Sequence, residues 1–276
     1  MKVIFIKSAI LLFFLMVLTG CSSIVNQFAF YPDTQNIIPV EKLPQGVEEI
    51  FITTGDNVKL QAYYVKNPAS DRVLIFFHGN AGNICHRLSD LINLKNCGIN
   101  VLAISYRGYG KSSGKPSEKG IYIDGAAAVD YAIQTLGYSL NNTIIYGRSI
   151  GTTVAVHTSQ HKDIAGLILI TPLTSAKAHA KAQGLGFLSF FVGNAFDNFS
   201  KISNIKCPLL VIHGTDDEIL SFSMGKDIFD QAHVEKQLVI IEGAGHNNLS
   251  QVDPAKYWGA IAEFISKVDR SKVEDY

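Results

Sequence analysis

Several features that would take this chain out of the ordinary globular class are scarce or missing. Eight prolines in 276 residues leave no proline-rich linker, and no stretch repeats or runs to low complexity. The four cysteines, Cys21, Cys85, Cys97 and Cys207, are too few for a disulfide framework, and none stands in a C-x-x-C pair. Three lie beyond residue 21. Either two of them bridge and one is left over, or all three are free thiols, which is the simpler arrangement. Excess charge of one sign is absent too, with 24 Lys and Arg against 24 Asp and Glu. No basic cluster stands out past Lys7, which excludes the electrostatic footprint of a nucleic-acid partner. The one early apolar run, residues 9–17, is shorter than a membrane span requires. No motif calls for a metal or any other cofactor.

What is present begins with that early run. Lys2 and Lys7 precede it, and Leu18-Thr19-Gly20-Cys21 follows it. This order resembles the lipobox of bacterial lipoproteins. The resemblance implies a signal peptide over residues 1–20, cleavage before Cys21, and acyl chains on the Cys21 thiol and amine. More than one chain gives stable anchoring where a single one is marginal. Ser22 is not the aspartate that commonly retains such proteins in the inner membrane, so the implied address is the outer membrane, facing the periplasm. Residues 21–46, with Pro32, Pro39 and Pro44, read as an extended tether held down by Phe28, Phe30 and Tyr31.

A single α/β domain is expected over residues 47–270. Residues 48–53 and 58–65 alternate around Gly55-Asp56-Asn57, the signal of a hairpin at a sheet edge. Apolar strands at 72–77, 99–105, 143–148, 164–170, 208–213 and 237–241 then take turns with helices at 84–96, 120–136 and 152–159. Strands apolar on both faces and separated by helices imply a mostly parallel sheet covered on both sides. Asp253 can cap a last helix that starts at Pro254, where Tyr257, Trp258, Ile261, Phe264, Ile265 and Val268 recur at helical spacing as core.

The chemistry concentrates at Gly147-Arg148-Ser149-Ile150-Gly151, which follows an apolar strand and precedes a helix expected to be amphipathic. That is the context of a nucleophile elbow: the glycines admit a sharp turn and the serine Oγ stands exposed. The Ile150 N–H, at the start of the helix, can face a developing oxyanion. A serine hydroxyl needs a base, and the base needs an acid to hold its tautomer. Strand ends supply both: Asp216 and Asp217 follow one strand, and Gly243-Ala244-Gly245-His246-Asn247 follows another. The order Ser149, Asp, His246 is that of α/β-hydrolases. His78-Gly79-Asn80 lies where a second oxyanion donor belongs. The Asn80 N–H is expected to fill that role, with His78 as a structural prop, His213 satisfying backbone near its turn, and His157 and His161 on the surface.

Tyr106-Arg107-Gly108-Tyr109-Gly110-Lys111-Ser112, with Thr171-Pro172-Leu173 and His213-Gly214-Thr215-Asp216-Asp217, is similar to the motifs of one branch of α/β-hydrolase-domain proteins. That branch holds eukaryotic protein depalmitoylases and bacterial homologues. The resemblance implies the α/β-hydrolase fold and an ester- or thioester-cleaving serine hydrolase, and it places the triad acid on Asp217 with Asp216 as runner-up. Ser221 departs from the depalmitoylases, which carry an acidic residue there. Their palmitoylated N-terminus is replaced here by the lipoprotein signal, so their protein substrate does not carry over.

Residues 174–206 form an insertion crowded with Leu185, Phe187, Leu188, Phe190, Phe191, Val192, Phe196 and Phe199. It caps the site, and its aromatics either line a pocket for an acyl chain or only pack the cap down. Two further readings stand beside the acyl hydrolase: an aminopeptidase-like amide hydrolase, and a non-catalytic envelope lipoprotein that binds a partner.

Overall fold

The structure, a computed structural model, describes residues 26, 28–188 and 192–270. The signal peptide, Cys21, Ser22, Phe190 and Phe191 lie outside the described residues. One eight-stranded sheet carries the domain. Its strands are β1 (Val47–Thr53), β2 (Lys59–Val65), β3 (Val73–Phe77), β4 (Asn100–Ile104), β5 (Thr143–Arg148), β6 (Gly166–Ile170), β7 (Leu209–Gly214) and β8 (Lys236–Ile241). Across the sheet they run β8-β7-β6-β5-β3-β4-β2-β1. Only β2 opposes the rest, pairing antiparallel with both β1 and β4, as the opening hairpin implied. The six strands from β3 onward pair in parallel.

The core lies on both faces of this sheet. Every residue of β3, β4 and β6 is buried, which fits their apolar sequence, Asn100 at the start of β4 excepted. The helices that cover the faces are α1 (Leu88–Asn96), α2 (Glu118–Gln134), α3 (Gly151–Ser159), α4 (Ala176–Ala182), α5 (Phe222–Gln231) and α6 (Pro254–Arg270). Ser117 caps α2 by accepting from the Gly120 N–H, and Asp253 accepts from the Lys256 N–H at the start of α6. Tyr257, Ile261, Phe264, Ile265 and Val268 are buried, while Trp258 is half-buried, edge-on to Tyr257.

The structure differs from the sequence expectations in three places. The expected helix 84–96 opens as a 3-10 turn, Ile84–Arg87, because Asn83 and His86 form a capping box there, and α1 starts only at Leu88. Helix α3 is not amphipathic: all its residues but His157 are buried. A Cβ on Gly125 of α2 would meet Val154 at 2.5 Å and Thr158 at 2.8 Å, so α2 lies hard against α3 and leaves it no open face. His157 is accordingly half-buried, stacked on Tyr122 with centroids 3.9 Å apart, and burial pushes its imidazole down to about 4. Finally, the leader lies on the domain. Tyr31 and Pro32 pair in parallel with Ala81 and Gly82, and of the three expected anchors only Phe30 is buried, edge-on against Phe196. Phe28 and Tyr31 stay exposed.

Arg107, in the loop after β4, joins three segments. Its backbone N–H and Nε donate to the two oxygens of Asp124 on α2, and its Nη1 and Nη2 donate to Asp56 in the β1–β2 turn. Asp124 is fully buried, and burial raises its pKa against the opposing pull of Arg107. Arg107→Met leaves that buried carboxylate without its guanidinium, keeping only the backbone N–H of residue 107. It is expected to lower unfolding stability by about 3–5 kcal/mol, read as a shift in the urea midpoint.

Candidate active site

Strand register brings the loops together. Phe77 pairs with Gly147, Arg148 with Ile170, and Gly214 with Ile241, so the carboxyl ends of β3, β5, β6, β7 and β8 share one edge. Ser149 sits at the tip of the turn with φ +54°, a left-handed conformation that non-glycine residues seldom adopt. A Cβ on Gly147 would meet the Gly151 carbonyl at 2.5 Å, and one on Gly151 would meet the Phe77 carbonyl at 2.2 Å. Neither position admits a side chain, and the Ser149 N–H donates to the Ile170 carbonyl to hold the turn.

His246 Nε2 lies 3.0 Å from Ser149 Oγ, and His246 Nδ1 lies 2.8 Å from Asp217 Oδ2. Asp217 accepts, so Nδ1 donates to it and Nε2 is left free to accept the serine proton. The other Asp217 oxygen accepts from the Ile219 and Leu220 N–H groups at 2.9 and 2.7 Å. Burial pushes the Asp217 carboxyl upward, but the hydrogen bonds from His213, His246 and the backbone outweigh it and hold it well below the usual carboxylate range. Asp216 bonds instead to Thr215 Oγ1, away from His246. His213 Nε2 reaches both Asp217 Oδ2, at 3.1 Å, and the Leu220 carbonyl, at 2.9 Å. Both partners are acceptors, so Nε2 carries the proton and His213 braces the acid as well as satisfying backbone. Sequence reasoning found the second contact and missed the first, because a four-residue separation across a turn has no signature of its own.

Gly79 packs against the elbow: a Cβ there would stand 3.5 Å from the Ser149 Cβ. The Asn80 carbonyl accepts from the Tyr31 N–H at 3.0 Å and from the Tyr109 hydroxyl at 2.7 Å. This turns the peptides around Asn80 into a fixed orientation. Among the described residues neither the Asn80 N–H nor the Ile150 N–H has an acceptor. His78 is fully buried, its Nδ1 2.6 Å from the Gly79 carbonyl and its ring tilted against Tyr106. Burial, with Arg87 adding to it, pushes His78 down to about 3, so it stays neutral and does not serve as a base.

A cavity of 720 Å³ opens over Ser149. Leu173, Ala176, Ala180, Val192, Phe196 and Leu220 line it, most of them from the insertion that contains α4. Phe196 packs the cap onto Phe30 and also lines the cavity, so the insertion's aromatics do more than pack, while Phe187 is exposed. His179 of the cap, which no motif marked, also faces the cavity. Burial, with His246 nearby, lowers its pKa, and its buried Nδ1 has no partner among the described residues. Cys85, Cys97 and Cys207 are free thiols, and among the described residues no three metal-ligating side chains gather.

The family described as serine aminopeptidase, S33, matches residues 68–201. Alpha/beta hydrolase domain-containing protein 17C of Mus musculus is 37% identical over 225 residues, which are 80% of this chain and 68% of the mouse protein. The chain belongs to the α/β-hydrolase family. This α/β-hydrolase is also 36% identical to the human domain-containing protein 17B, over 79% of the chain and 75% of that relative. Among solved structures, an esterase of Pyrococcus furiosus superposes with a TM-score of 0.70 at 25% identity, covering 86% of the α/β-hydrolase and 98% of the esterase. As a member of this family the protein is a serine hydrolase.

Proposed function

We propose that the protein cleaves an acyl ester or thioester through an acyl-enzyme on Ser149. The observation that carries this reading is the unbroken line from Ser149 Oγ through His246 to Asp217, beside two N–H groups that have no acceptor among the described residues. Ser149 Oγ attacks the carbonyl carbon while its proton passes to His246 Nε2. The oxyanion meets the Asn80 and Ile150 N–H groups, each such donor being worth about 3–4 kcal/mol in the transition state. The C–O or C–S bond then breaks, and His246 returns the proton to the leaving oxygen or sulfur. Water, deprotonated by His246, attacks the acyl carbon and releases the carboxylic acid and free Ser149. No cofactor enters these steps.

The apolar cavity favours an acyl chain, as does the esterase fold. A panel of 4-nitrophenyl esters from acetate to palmitate tests this: turnover is expected to rise beyond acetate as the chain fills the cavity. Absence of turnover on every ester contradicts the reading. The aminopeptidase alternative draws on the S33 match, but no Asp or Glu lines the cavity among the described residues, whereas Arg87 and Arg148 do. A substrate ammonium would face two guanidiniums. The partner-binding alternative leaves the hydrogen-bonded Ser149, His246 and Asp217 without a purpose.

The same reading places the protein in the bacterial envelope, held at the outer membrane by a lipidated Cys21. Leu18-Thr19-Gly20-Cys21 supports it, as do Phe28, Leu185 and Ile219, apolar residues that line the cavity and are exposed to solvent. Cys21→Ser is expected to leave an unprocessed precursor and to abolish labelling by a fatty-acid analogue. Surviving label overturns the anchor.

A further inference from the structure

Two arginines share the catalytic cavity, and the ester mechanism uses neither. Arg87, at the end of the 3-10 turn before α1, has its Nη2 on the Ala81 carbonyl at 2.9 Å, and its Nε is buried with no partner among the described residues. Arg148, beside the nucleophile, reaches Asn247 Oδ1 at 3.3 Å and the His246 carbonyl at 3.5 Å. Asp90, its acidic partner among the described residues, stands off at 3.8 Å. These contacts are long, and a guanidinium has five N–H donors to place.

The site is electrostatically unfinished. Arg148 is largely buried, with 16% of its side chain exposed. Burial, reinforced by Arg148, lowers the Arg87 pKa from its ordinary value. Burial also raises that of Asp90, against the pull of both arginines. The two guanidiniums share one loosely placed carboxylate, Asp217 being taken up by His246 and His213, and an anion beside them would relieve their repulsion in this partly desolvated cavity.

Position gives the anion its place on the substrate. Arg148 touches the backbone of His246, the residue that hands a proton to the leaving group, and Arg87 touches the oxyanion loop at Ala81. The apolar lining comes mainly from the cap. An acyl chain in that lining turns the alcohol side towards the two arginines. Their guanidiniums come from different elements and offer two separate sets of donors. A tetrahedral phosphate meets such a pair better than a planar carboxylate, which one bidentate fork satisfies.

Resting on the acyl-hydrolase reading, we propose that Arg87 and Arg148 form an anion subsite for the leaving group. The preferred substrate class is then an acyl ester whose alcohol carries a phosphate a few bonds from the scissile oxygen, as in an acylglycerol phosphate.

The test compares kcat/KM for 1-butyryl-glycerol 3-phosphate and for 1-butyryl-glycerol, measured as butyrate release. The wild-type protein is expected to favour the phosphate ester by about tenfold or more, since hydrogen bonds to charged groups discriminate at that level. Raising the salt should shrink the preference. Arg87→Gln and Arg148→Gln should each bring the ratio towards one, and a ratio cancels any general loss of activity. In a second measurement that needs no variant, glycerol 3-phosphate should inhibit hydrolysis of 4-nitrophenyl butyrate competitively, and glycerol should not. Turnover of the neutral ester without preference for the charged one overturns the subsite alone. A preference that survives in both variants overturns the assignment to these arginines. No turnover of either ester overturns the hydrolase reading and the subsite with it.

Discussion

Ser149→Ala is expected to reduce ester turnover by on the order of 10⁶-fold while changing unfolding stability by no more than about 1 kcal/mol. Among the described residues the hydroxyl's hydrogen-bond partner is His246 Nε2. Alanine keeps the Cβ that packs near Gly79, so the elbow retains its geometry. What is lost is the atom proposed to form the acyl-enzyme, and water in its place lacks the 3.0 Å approach to His246. Comparable loss in stability and activity would mean that Ser149 acts through the fold instead.

Asp217→Asn is the second large effect, expected at about 10⁴-fold in kcat, the size the same change has in a serine protease triad. The amide presents an N–H or a single oxygen where two imidazoles now donate, so His246 loses the partner that sets its tautomer. Asp216→Asn is expected to change kcat less than about threefold, because its carboxylate faces Thr215. A reversal of the two effects would move the acid by one residue. The lowered Asp217 pKa also makes a claim about stability. Its contribution is fully present above the ordinary aspartate range of about 4 and is lost as pH falls below it. Acid unfolding of the wild-type protein should therefore be steeper below pH 4 than that of Asp217→Asn.

The parts of the site that lie within one strand and its turn were legible from the sequence. Gly147, Ser149 and Gly151 announce their turn because only glycine fits beside Phe77 and Gly151. His246 stands out by its place after β8, and the alternation of apolar runs with helices was enough to give the sheet. What escaped depends on contacts between distant segments. Tyr109 and Tyr31 orient Asn80 from 29 and 49 residues away, and nothing local in either tyrosine says so. The leader reads as a tether because its prolines are real, yet its backbone completes a two-stranded ladder with Ala81 and Gly82. Helix α3 reads as amphipathic in the sequence, yet it is buried nearly all round. Thr152 and Thr153 turn their hydroxyls back onto the Ser149 and Ile150 carbonyls, which lets the helix be buried. The choice of Asp217 over Asp216 came from family resemblance, and the bonds to His246 and His213 supply its physical reason.

Ser149 is proposed to be a nucleophile already assembled with its base and oxyanion donors. A fluorophosphonate probe mimics the tetrahedral intermediate and reacts with a serine so prepared. Purified protein treated with the probe and analysed by peptide mass spectrometry should carry one adduct, on Ser149, and the same experiment on His246→Ala should show labelling slowed by orders of magnitude. Folded wild-type protein that takes up no probe, while a control serine hydrolase in the same tube is labelled, would contradict the account.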